Sequence, residues 1–191
     1  MKKYLYLVRH GQTLFNVQKR IQGWCDSPLT ELGIKQAEAV GQYFKDNNII
    51  FDAAYCSTSE RASETLENIT DMPYTRCKGL KEMNYGTLEA HPEYLAENDP
   101  VKCETYYLQF NGESSLTTRK RMIDTLSEII KKEDHTCVLA VSHGGAVFNF
   151  LKGINADLSY LNKGSTNGGI FILEYENDTF TLKDVIFNPL A

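Results

Sequence analysis

His10 and His143 are the residues of this 191-residue chain whose surroundings invite chemistry. Each follows a short apolar run, Tyr4 to Val8 in one case and Thr136 to Val141 in the other, and each is followed by glycine, which lets a backbone approach a ligand closely. Arg9 stands beside His10, and Ser142 beside His143. A lone histidine is ordinarily a surface or structural residue, and His91 and His135 read that way. A neutral imidazole nitrogen, however, can attack phosphorus in line and divide one difficult transfer into two easier ones through a phosphohistidine. That is the role expected of His10. Guanidinium forks suit phosphoryl oxygens, and as neighbouring cations they disfavour imidazole protonation. Arg9 and Arg61 suit both tasks. His143 suits a further donor to the developing charge.

These residues need elements to hold them. Tyr4–Val8, Ala53–Cys56, Thr136–Val141, Gly168–Tyr175 and Phe180–Ile186 are apolar or β-branched runs that predict strands, with a turn at Asn177-Asp178. Thr30 opens a helical pattern through Ile34, Ala37, Val40 and Phe44, which ends near Asn47 and Asn48. Ser57 and Glu60 have capping-box spacing, predicting Arg61 in the first turn of the next helix. Leu116–Lys132 predicts a helix with Met122, Leu126, Ile129 and Ile130 on one face, and another follows Gly144. Strands alternating with helices predict a three-layer α/β/α fold with a mainly parallel central sheet. Ligands bind such sheets at the strands' carboxyl ends, which makes Arg9-His10 and Ser142-His143 neighbours in space. A single domain over 1–191 is expected, with a helical insertion over the site at about 88–112.

Composition narrows the function. Twenty Lys and Arg against 25 Asp and Glu give a net charge of −5, which argues against general nucleic-acid or anionic-membrane binding. An anionic substrate must be gripped locally. Five widely spaced cysteines without a C-x-x-C pair suggest neither a disulfide framework nor a zinc site. No clustered carboxylates suggest another metal, and no cofactor is called for. The apolar stretch at Tyr4–Val8 is too short for a signal peptide, and no segment is long enough to span a bilayer, so the cytosol is the expected compartment. There is no G-x-S-x-G elbow, no G-x-G-x-x-G and no Walker loop.

The segment Leu7-Val8-Arg9-His10-Gly11-Gln12-Thr13, with Asn16 after it, resembles the R-H-G-x-T signature of the histidine phosphatase (phosphoglycerate mutase-like) superfamily. Further blocks follow in the family's order: Arg20-Ile21-Gln22-Gly23-Trp24, Asp26-Ser27-Pro28-Leu29-Thr30, Ser57-x-x-x-Arg61-Ala62-x-x-Thr65, Leu80-x-Glu82-x-x-x-Gly86-x-x-Glu89, Gly112-Glu113-Ser114 and Val141 to Gly145. The resemblance implies His10, Arg9, Arg61 and His143 as catalytic residues and Glu82 as the acid that protonates the leaving oxygen and later activates water. It implies Gly11, Gln12, Asn16, Gln22, Gly23 and Gly144 as phosphate- or substrate-binding positions. Glu89 is expected to support this block, and Glu113 to accept from an arginine or cap a helix. The partner implied is a small phosphorylated substrate, with homodimer formation left open. Hydrolysis is expected over phosphoglycerate mutation, because Ala90 to Asn111 carries one cation, Lys102, against Glu93, Glu97, Asp99 and Glu104. A mutase must hold a bisphosphorylated intermediate, which calls for more positive charge. The alternatives are a cofactor-dependent phosphoglycerate mutase and a binding protein without turnover.

Overall fold

The computed structural model describes residues 2–97, 99, 101–159 and 167–191. Its sheet has six strands: β1 (Lys3–Arg9), β2 (Ala53–Ser57), β3 (Tyr74–Cys77), β4 (Cys137–Ser142), β5 (Ile170–Glu176) and β6 (Thr179–Ile186), in the order β3-β2-β4-β1-β5-β6. β3, β2, β4 and β1 pair in parallel, while β5 runs antiparallel to both β1 and β6. Among the described residues the other regular elements are the helices α1 (Leu14–Val17), α2 (Glu31–Asp46), α3 (Glu60–Ile69), α4 (Ser115–Lys131) and α5 (Gly144–Gly153), together with short 3-10 turns.

Side-chain alternation in the strands divides the core in two. Leu5 and Leu7 of β1 and Val138 and Ala140 of β4 face one way, onto Met122, Leu126 and Ile130 of α4 and Val147, Phe150 and Leu151 of α5. Val8, Leu139 and Val141 face the other, onto Ala37, Val40 and Phe44 of α2 and Ala62, Leu66 and Ile69 of α3. The sheet is therefore covered on both sides, as the alternating pattern requires. Each fully buried Leu or Phe contributes roughly 1.5–3 kcal/mol of transfer free energy, so both interfaces anchor the strand ends firmly.

Among the described residues of 88–112 the helical structure is a series of 3-10 turns at Glu93–Leu95, Lys102–Glu104 and Tyr106–Phe110, packed around a small core of Ile21, Met83, Leu88 and Tyr107. Without a 3.6-residue apolar stripe the segment cannot bury one face of a long helix. One expectation changes: the cap of α3 is Ser59, not Ser57; Arg61 is still in its first turn.

Candidate active site

β1 and β4 end in register, Arg9 opposite Ser142, and the two histidines follow. Their ring centroids lie 5.2 Å apart. Both rings are buried. The His10 backbone is tied down on both sides, since its N–H donates to the Ser142 carbonyl while its own carbonyl accepts from Gly168 N–H and Asn167 Nδ2.

His10 Nδ1 lies 2.7 Å from the Gly11 carbonyl oxygen. A carbonyl only accepts, so Nδ1 carries the proton and Nε2 keeps its lone pair. Burial first, then the Arg61 and Arg9 cations, hold the proton affinity of His10 well below the ordinary histidine value of 6.5. Burial likewise depresses His143, with Arg61 the next cause. Both rings are thus neutral at pH 7.

Arg61 is fully buried at the start of α3 and reaches under the loop after α1. Its Nη1 donates to the Cys25 carbonyl (3.0 Å) and to Asp26 Oδ1 (2.9 Å), and its Nη2 to the Gly23 carbonyl (2.9 Å). Nε is buried without a hydrogen-bond partner among the described residues. Of five donors, Nε–H and one Nη2–H remain for a ligand. Arg9 lies against Gly144, where a side chain would come within 3.1 Å of the guanidinium carbon.

Glu82 is buried beside the first turn of α5. Its Oε1 accepts from Met83 N–H (2.7 Å) and its Oε2 from Gly145 N–H (2.8 Å). Burial raises its proton affinity above the ordinary glutamate value, opposed by those two amides and by Arg61 and Arg121. The Glu82 carbonyl is pinned from two sides, by Arg121 Nη2 (2.8 Å) and Trp24 Nε1 (3.0 Å). Arg121 also holds the Gly79 and Lys81 carbonyls and forks onto both oxygens of Glu113. Glu113 therefore accepts from an arginine, while Ser114 caps α4. Glu89 gathers four backbone amides, those of Gly23, Trp24, Cys25 and Tyr85. One carboxylate thereby joins the loop under Arg61 to the segment that carries Glu82.

The expected phosphate-loop residues divide. Gly11 N–H donates to Thr65 Oγ1 and Gln12 N–H to Gln36 Oε1. Gly11 is required for packing, because a Cβ there would collide with the Gly33 carbonyl of α2. Asn16 Oδ1 caps Thr13 N–H within a capping box, which leaves its amide nitrogen as the donor end. Gln22 links Thr13 Oγ1 to Ser27 Oγ, and Gly23 serves Arg61 and Glu89. Both hold the loop. His135 is structural, bonded to Tyr55 and Asp134.

Sequence reading missed Ser57, whose Oγ lies 2.7 Å from His143 Nε2; the same hydroxyl had been read as a helix cap. It also missed Arg121, signalled only by a helix-face spacing of eight from Glu113, and Lys81. Lys78 and Lys81 lie over the Trp24 ring at 5.2 and 4.7 Å. Burial and Arg61 lower the proton affinity of Lys81.

Two neutral imidazoles, an Arg61 donor and a His143 ring nitrogen without partners among the described residues, and a carboxyl of raised proton affinity suit an acceptor-rich, tetrahedral anion. Known proteins with similar sequences fit this chemistry. The chain is 30% identical over 186 residues to the uncharacterized phosphatase PhoE of Bacillus subtilis, covering 95% of this chain and 93% of that protein. It is 28% identical over 207 residues to the 2,3-bisphosphoglycerate-dependent phosphoglycerate mutase of Bartonella henselae, covering 99% and 100%. A variant phosphoserine phosphatase of Entamoeba histolytica, solved with phosphoserine, superposes with a TM-score of 0.79 at 28% identity, covering 99% and 98% of the two chains. The family profile described as histidine phosphatase superfamily (branch 1) matches residues 5–187, and the chain belongs to that superfamily.

Proposed function

We propose that this protein is a phosphatase that hydrolyses small phosphate monoesters through a phosphohistidine on His10, without a metal. The observation that carries the reading is the His10 ring, buried, neutral and held by the Gly11 carbonyl so that Nε2 presents its lone pair. Nε2 attacks phosphorus as the ester P–O bond breaks, and the departing oxygen takes the Glu82 proton. Water then attacks the phosphohistidine, returns a proton to Glu82 and releases inorganic phosphate. Arg9, Arg61, Asn16 and His143 hold the transferring oxygens, supplying the charge that a metal supplies elsewhere.

Hydrolysis is favoured over mutation by the cover. Lys102 is its single cation, and Glu104 already pairs with Arg119 and Lys152. The second reading, a phosphoglycerate mutase, draws on the Bartonella relative and on Lys81, a cation close to Arg61 outside the cover. Purified protein offered a panel of phosphorylated sugars, acids, nucleotides and peptides should release phosphate from at least one small ester. With 3-phosphoglycerate and catalytic bisphosphoglycerate it should release phosphate or remain inactive. Efficient conversion to 2-phosphoglycerate without phosphate release would replace this reading with the mutase.

A further inference from the structure

We propose that Ser57 is a positioning residue that fixes the tautomer of His143, so that this ring presents an Nδ1–H donor, and not a lone pair, to a bound phosphoryl group. The inference rests on reading His10 and His143 as the phosphoryl site, and it deepens that reading by assigning the proton.

Ser57 ends β2, the strand next to β4, and its side chain is fully buried. Its Oγ has two partners: Ser59 N–H at 3.0 Å and His143 Nε2 at 2.7 Å. An amide can only donate, so Oγ accepts from Ser59. A hydroxyl has one proton to give. Were His143 to donate through Nε2, Ser57 would accept twice and its own proton would point into a dry interior. Were Ser57 to donate to Nε2, the amide, the hydroxyl and Nε2 would all be satisfied. In the empty site each arrangement leaves one donor unmade, the serine hydroxyl in the first and Nδ1–H in the second; an anionic oxygen between the rings satisfies Nδ1–H and not a lone pair, so with phosphoryl oxygens bound the second arrangement is favoured by about tenfold or more.

With Nε2 accepting, the single proton of the neutral ring sits on Nδ1. That atom is fully buried and has no hydrogen-bond partner among the described residues. It belongs to the ring that meets His10 edge-on, 5.2 Å between centroids. A ligand oxygen between the rings would complete its hydrogen bonding, whereas the other tautomer would set a lone pair against an anion.

The test uses intact protein labelled with 15N-histidine. With orthovanadate bound, wild type should show His143 protonated on Nδ1 with Nε2 in the acceptor range. Ser57→Ala should mix the two tautomers, weaken orthovanadate binding about tenfold and lower kcat/KM roughly 10–100-fold, as removal of an outer partner of a functional histidine does. Ser57→Thr, which keeps the hydroxyl, should restore both the wild-type tautomer and vanadate affinity. A vanadate-bound wild-type spectrum with the proton on Nε2 would overturn the proposal without any variant. So would a Ser57→Ala protein with unchanged tautomer and unchanged vanadate affinity. If the tautomers behave as expected and vanadate binds, but no ester is turned over, the assignment of Ser57 stands and the phosphatase reading fails.

Discussion

The two strand-end histidines share a ring, a burial and a neutral charge, and they differ in one hydrogen bond. His10 faces a backbone carbonyl through Nδ1; His143 faces a serine hydroxyl through Nε2. A carbonyl can only take a proton's attraction, so His10 is left with a lone pair. A hydroxyl that already accepts from an amide gives its proton, so His143 is left with a donor. In the proposed mechanism, nucleophile and electrophilic helper thus arise from the same residue type at equivalent places in the sheet. The choice is made by what stands behind each ring, not by the ring's own environment of charge, which is nearly common to both.

The comparison breaks most severely at His10. His10→Ala should lower turnover by roughly 10⁴-fold or more, the scale seen when a nucleophile that acts as part of a unit is lost. Brief reaction with an activated ester followed by acid-free mass spectrometry should place phosphate on His10 of the wild type. Phosphate on serine or cysteine, with His10→Ala still active, would end the assignment.

Glu82 is held at the first turn of α5, next to the donor histidine, and should matter to the leaving group rather than to either ring. Glu82→Gln should slow the first transfer about 10²–10⁴-fold for alkyl phosphates and much less for activated aryl phosphates. In wild type the first transfer should weaken as pH rises through the raised proton affinity of Glu82, because the acid form is lost. Equal losses across a leaving-group series would remove Glu82 from the role.

The shared charge state can be tested through stability. Both histidines have folded proton affinities depressed below 6.5. As pH falls below that value the unfolded chain binds protons that the folded chain refuses, so stability is complete above 6.5 and is lost on acidification. Each ring contributes about 1.4 kcal/mol per pH unit in that window. Urea unfolding from pH 7 to pH 5 should show this slope, and His10→Gln or His143→Gln should each remove its own share. A slope unaffected by either substitution would show that a ring is already charged in the folded state.

The smallest expected effect is none. Chelator treatment should leave the phosphatase rate unchanged, because guanidinium and imidazole donors surround the transferring group. A rate that vanished and returned only with a divalent ion would require a different mechanism.

Much of this frame was legible in the sequence because strand periodicity and a strand-His-Gly pattern are local signals. His10 and His143 could be placed together from the parallel-sheet rule alone. Ser57 was misread because a serine three residues before a glutamate satisfies a capping pattern, whereas its actual partner comes from β4 and is set by strand order. No local pattern reveals that Thr65 and Gln36 take the amides of Gly11 and Gln12. The stretch 88–112 carries no period, and its turns rest on Ile21 and Met83, residues from two other segments.

The backbone-to-backbone contact between Gly11 and Gly33 has a mechanical consequence. No side chain lies at that junction to act as a spring, so the turn after β1 rests directly on the amino-terminal end of α2. Displacing His10 from its line of attack would mean carrying a sixteen-residue helix, itself seated on the sheet, along with it. The floor of the site therefore behaves as a fixed anvil. Amide exchange should be slow through this junction, and slower there than in the short 3-10 turns between Glu93 and Phe110.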